Sequence, residues 1–229
     1  MWAGYHRHQT KLENELMGLA VEVGRLADLL VNDDPEGAEW LRTSFAHANA
    51  LLAASGLPAH VEPEIPIPES SRCQIEGYPY SFLRYLRRIY AHVSRDPGWT
   101  PREVPEGEDP TDDPVLEDES AEMESHLRCH SDAEGFYFPI DFEEVIFDDG
   151  NNLPGGMLGS TQRLMGELVT LAPCLGINLR DGALDDSEAE RVNEQTEAEG
   201  PFWIEKIVWL SLFEAARLSL KYKSAICFT

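Results

Sequence analysis

The chain has 229 residues, 42% of them hydrophobic, and carries 18 Lys/Arg against 42 Asp/Glu for a formal charge of −24. That apolar share supplies a core and sets the chain apart from fully disordered acidic sequences. The charge excludes nonspecific binding to nucleic acid or to an anionic membrane, which would both repel it, and favours cationic partners.

In chain order, Leu12, Leu16, Leu19, Val23, Leu26 and Leu30 step by four and three residues, which predicts one amphipathic helix from about Thr10 to Val31. Asp34 followed by Pro35 caps a second helix that Gly56 ends, and the short connection makes the two an antiparallel pair. Pro58, Pro63, Pro66 and Pro68 forbid a helix, so 57–68 is an extended arm. A third helix is predicted from about Pro79 to Ser94, burying Phe82, Leu86 and Ile89. Arg84, Arg87 and Arg88 lie together on it at i, i+3 and i+4.

Prolines with acids between them then make 97–114 an acidic, Pro-rich loop insertion, followed by a short helix near Val115–Ser125. The periodicity next changes. Residues 126–131 and 136–141 read as a hairpin, with 143–147 as a further strand. Ser160 caps a helix reaching about Leu171, and 187–197 form a solvated helix inside a second acidic surface segment, 181–200. From Phe202 to about Leu220 the chain is apolar on nearly every side, as a buried helix would be, and Ser224–Phe228 is a last strand that joins the hairpin. The expected fold is α+β: one predominantly helical domain over 1–229, a small, mainly antiparallel sheet with strands near 126–131, 136–141 and 224–228, and a buried C-terminal helix.

Cys73, Cys129, Cys174 and Cys227 are far apart with no C-x-x-C, so neither a zinc ribbon nor a redox motif is written here. Glu13, Glu15 and Glu22 interrupt any leader-like apolar run, and the longest apolar stretch, Ile207–Phe213, is far short of the roughly 20 residues of a membrane helix. A cytoplasmic protein is the expectation, with no membrane contact.

Five constellations invite chemistry. His126, Cys129, His130 and Asp132 are metal-ligand types, but Cys129 and His130 would point to opposite faces of a strand, so no metal is expected. The glycine-rich run 153–161 lacks the lysine of a phosphate loop and reads as a turn with a helix cap. Asp141, Glu143, Glu144, Asp148 and Asp149 offer paired carboxylates without a calcium-loop spacing. Arg84, Arg87 and Arg88 form a ridge that either binds an anion or docks the chain's own acids. Phe202, Trp203, Trp209 and Phe213 are core residues of the last helix rather than a cofactor pocket, and no cofactor is expected.

What stands out is the distribution of charge. Residues 96–125 carry 12 acids against one Arg, and 181–200 carry 8 against one, so these 50 residues hold −18 of the net charge. That pattern describes a soluble protein-interaction module whose acidic segments take a basic partner, with no nucleic acid bound. Glu117, Asp118, Glu122, Asp185, Asp186 and Glu190 are the candidate partner-binding residues. An immunity-type toxin neutraliser suits this character, and mimicry of nucleic acid is its extreme form. The alternative is a small hydrolase-like enzyme with its site in the 126–149 hairpin, using His126 or His130 with Asp141 or Glu144.

Overall fold

The computed structural model describes residues 18–105, 107–116 and 124–229. The first finding is a correction. Gly18–Val23 is a strand, β1, and only Arg25–Val31 is helical, as α1. Gly24 between them sits at φ 84°, where a side chain is strained, so the chain turns there instead of continuing as a helix. Leu19 and Val23 satisfy a helical period by coincidence, and β-branched Val21 and Val23 suit the strand. Residues 10–17 of the expected helix lie outside the described residues.

The second helix, α2 (Pro35–Ala54), is as its caps dictate: the Asp34 carboxylate accepts from the Gly37 amide at 2.9 Å, with Pro35 in the first turn. The arm that follows is extended and is fixed to the body by polar side chains. His60 and Asn49 exchange two hydrogen bonds, and the Glu62 carboxylate takes the Ala225 amide and His60. A short strand β2 (Gly77–Pro79) leads into α3 (Phe82–Arg95).

The 126–131 strand is absent: those residues form turns. Their amides are already taken, since the Glu167 carboxylate accepts from the His126 and Leu127 amides at 2.9 and 2.7 Å, and Cys129 N–H bonds to the Ser125 carbonyl. The amides of 126–129 are thus lost to a ladder. The neighbouring strand does form, as β3 (Gly135–Phe138) rather than 136–141, and only Ile146–Phe147 of 143–147 is extended, as β4. Ile146–Phe147 pairs with β5 (Met157–Ser160). The helix expected near Val115–Ser125 falls mostly outside the described residues.

Ser160 caps α4 (Thr161–Leu171), Asp185 caps α5 (Asp186–Glu197), and α6 (Trp203–Tyr222) leads to β6 (Ile226–Phe228). The strands form one mixed sheet in the order β2-β1-β6-β3-β5-β4. All pairs are antiparallel except β3 with β5, which β1, β2 and the parallel step make larger than the three-strand sheet expected.

Alternation along the strands splits the apolar side chains between two layers. Leu19, Tyr137, Ile226 and Phe228 join α3, α4, α5 and α6 on one face; Phe136, Phe138, Leu158 and Cys227 pack under α1 and α2 on the other. Gly159 is required within this sheet, because a Cβ there would stand 2.2 Å from the Tyr137 ring beside it. In the larger core α6 is the centre: Trp209 is fully buried, stacks on Phe213 at 4.6 Å and donates its indole N–H to the Leu168 carbonyl.

One ion network ties the arm to α6. Glu214 is fully buried and accepts from the Arg72 guanidinium, the Arg72 amide and Arg217. Arg217 also reaches Glu69, and Arg72 also reaches Asp186 on α5. Burial works against the Glu214 charge, but its two guanidinium partners and the amide outweigh it and hold the carboxyl below its usual range.

Candidate protein-interaction surface

The second acidic segment becomes α5, and its sequence sets which acids face outward. Leu184, Glu188, Ala189, Val192, Asn193 and Thr196 turn in. Glu188 is consumed there, accepting from the Asn178 amide and from Arg191. Asp185 is consumed as the cap, accepting from the Glu188 amide at 2.8 Å. Asp186, Glu190, Glu194 and Glu197 are exposed and step by four, four and three residues, so they form one outward row. Glu199 extends it past the helix end.

Asp186 in the first turn is favoured by the helix dipole, but the far end of the row stands where helix physics disfavours it. Glu194, Glu197 and Glu199 crowd the negative end of the helix, whose last turn holds no basic residue. Each such placement costs a few tenths of a kcal/mol or more. Stability therefore does not account for these acids.

The first acidic segment is brought to the same surface. The Glu103 carboxylate accepts the Phe202 amide at 3.0 Å, just beyond the end of the α5 row. Glu103, Glu108, Asp109 and Asp112 are exposed, whereas Asp113 is turned inward onto Arg88 at 2.7 Å and His92 at 2.8 Å. Burial opposes the Asp113 charge, but hydrogen bonds from His92, the Val115 amide and Arg88 outweigh it and lower its pKa. Of the candidate binding residues, Asp186 and Glu190 stand in the outward row and Asp185 is the cap; Glu117, Asp118 and Glu122 lie outside the described residues.

Beneath the Glu103 contact is Glu205, which is buried in the first turn of α6. Burial, with the nearby Glu103 charge, raises its pKa from 4.5 to about 7. The folded chain thus keeps a proton that the unfolded chain releases above 4.5, so this group's contribution to stability falls as pH rises through the window from 4.5 to about 7. Glu205→Gln is expected to flatten the decline across that window by about 1.4 kcal/mol per pH unit. Urea unfolding at several pH values checks this; an unaltered slope would contradict it.

The arginine ridge faces several ways. Arg87 is buried and donates to the Leu127 and His130 carbonyls and to Asp132; Arg84 lies 3.5 Å from Asp132; Arg88 holds Asp113 and the Arg102 carbonyl. Such inward use is general. Of 16 described Lys/Arg, only 7 are exposed, against 24 exposed Asp/Glu. Four of the 7, Arg42, Arg163, Arg180 and Lys221, are themselves paired with carboxylates. Among the described residues, acids are exposed far more often than bases.

The cleft beside 126–149, about 630 Å³, does bring together His126, Asp141, Glu143 and Glu144, but not His130. His126 is committed to the backbone: its Nδ1 accepts from the Ser160 amide at 2.9 Å and its Nε2 donates to the Glu143 carbonyl at 3.0 Å. Neither nitrogen is left to move a substrate proton. Glu167, which no motif singles out, lines the cleft, and burial raises its pKa to about 7 while three donors hold it in place. No cluster of three metal-ligating side chains occurs among the described residues. Asp148 accepts three backbone amides of its own turn, and the glycine-rich run makes a tight turn, β5 and the α4 cap. No described helix is long and apolar enough to cross a membrane.

Residues 17–228 match the model of the family described as "Putative DNA-mimic protein". The chain belongs to this family. No curated protein matches the chain, and no solved structure does. Membership in the DNA-mimic family keeps the acidic interaction module and overturns the rest of the sequence-based function: the immunity-type toxin neutraliser and the hydrolase-like alternative both give way to it.

Proposed function

We propose that this chain takes the place of DNA on a DNA-binding protein, presenting carboxylates where the duplex presents phosphates. The observation that carries this, beside the family match, is the division of charge: among the described residues 24 acids are exposed against 7 bases, and most guanidinium groups are half-buried or buried. The α5 row adds a matching scale. At about 1.5 Å rise per residue its four carboxylates span roughly 16 Å. That is about one charge per 5–6 Å, within a factor of two of the roughly 3.4 Å per phosphate along one DNA strand.

A cationic cleft shaped for a duplex would therefore meet a comparable field, and long-range attraction would speed encounter. The test is capture and release. The immobilised chain is exposed at low salt to the heparin-binding proteins of its own cells and then washed with a short DNA duplex. Proteins retained on the chain and released by the duplex are the expected result. Retention of nothing, or retention that duplex DNA does not reverse, would overturn the proposal.

A further inference from the structure

The composition of the acidic band says what kind of DNA-binding protein it fits. Resting on the function proposed above, we infer that the partner grips the DNA backbone without reading base sequence, as chromosome-compacting proteins do. Sequence is read through donor and acceptor patterns and methyl groups on base edges, whereas phosphate contacts carry no sequence information. The band copies the second and not the first. Its outward groups are the carboxylates of Asp186, Glu190, Glu194, Glu197, Glu103 and Asp109.

The planar amides on and beside α5 that could imitate a base edge are engaged or buried. Asn193 donates to the Arg72 and Ala189 carbonyls and accepts from the Gln74 amide; Asn178 donates to Glu188; the Gln195 side-chain oxygen is buried. Among the described residues, the large exposed apolar side chains that could imitate a methyl or act as a wedge are elsewhere. Trp40 and Val31 belong to α2 and α1, on the opposite face of the sheet from α5, and Val61 and Ile65 to the arm. The charged band is not the sole warrant, since the family match independently names DNA as what is copied.

The experiment uses two purified probes, each on a fluorescent duplex followed by anisotropy. One is a basic, chromosome-compacting protein that binds any duplex; the other is a helix-turn-helix repressor, measured on its operator and on a scrambled duplex. The full chain is expected to displace duplex from the first probe at the same concentration whatever the duplex sequence. It is expected to release the repressor from scrambled duplex but to need at least about a thousandfold more to release it from operator, the usual gap between specific and nonspecific binding. Failure to displace duplex from the compacting protein overturns the inference, and so does release of the operator complex as readily as the scrambled one. If the capture experiment still returns proteins that DNA releases, only the inference has failed; if it returns none, the DNA-mimic function has failed with it.

Discussion

Changing Asp186→Asn, Glu190→Gln, Glu194→Gln and Glu197→Gln together is expected to weaken binding to the DNA-releasable partner about a hundredfold near physiological salt, with the fold intact. Exposed ion pairs are worth about 0.2–1 kcal/mol each, so four sum to about 0.8–4 kcal/mol, a range that holds the roughly 2.7 kcal/mol of a hundredfold loss. All four side chains are exposed, and among the described residues only Asp186 is paired with a cation, Arg72, which keeps Glu214 as its main partner. The loss should fall mainly on the association rate, and the salt dependence should become shallower. Thermal stability should change little, because relief of two charges at the negative end of α5 offsets the loss of Asp186 at its favoured first turn and of its Arg72 pair. Surface-based kinetics at two salt concentrations, with a melting curve, measure both. Unchanged affinity would remove α5 from the interaction surface.

The second large effect concerns the ion network under the arm. Glu214→Ala is expected to cost about 3–5 kcal/mol, because it leaves the Arg72 and Arg217 guanidinium groups facing an empty buried site. That is a large share of the roughly 5–15 kcal/mol that holds a domain folded, so the arm should become open to protease at the temperature where the parent resists. Arg72→Met with Glu214→Met removes one cation along with the anion, and Arg217 keeps Glu69. This pair should recover most of the loss, since well-packed apolar side chains often replace a buried ion pair at little cost. Urea unfolding of the three proteins decides it, and a single variant as stable as the parent would show the network to be incidental.

Local chemistry made much of the fold legible. Asp34 with Pro35, Ser160, and the solvated helix before Glu197 each start or shape a helix through contacts within a few residues, and all three helices are present. What was illegible depends on distant partners. The stretch 126–131 alternates like a strand, and Glu167, some 40 residues on, takes its first two amides out of play. Leu19 and Val23 fit a helical stripe until Gly24 turns the chain and β6 arrives from the other end of the sequence to pair with β1.

The candidate surface divides in the same way. That 181–200 and 97–114 are acidic is plain from composition. Which acids are spent inside, as Glu188 and Asp113 are, depends on Arg191, Arg88 and His92, and that Glu103 meets the Phe202 amide depends on the packing of α6. The hydrolase alternative failed for a related reason: His126 and the carboxylates do converge, but the imidazole is used up as backbone scaffolding.

The outer strands of the sheet carry a consequence of their own. Among the described residues β2 is three residues long and ends in Pro79, which has no amide hydrogen, and β4 has two residues. Such stubs offer a visiting chain almost no ladder to extend, so strand addition, a common route both to recruitment and to clumping, is closed at either margin. Among the described residues, that leaves the helices and loops, not the sheet margins, as the surface a second chain can meet.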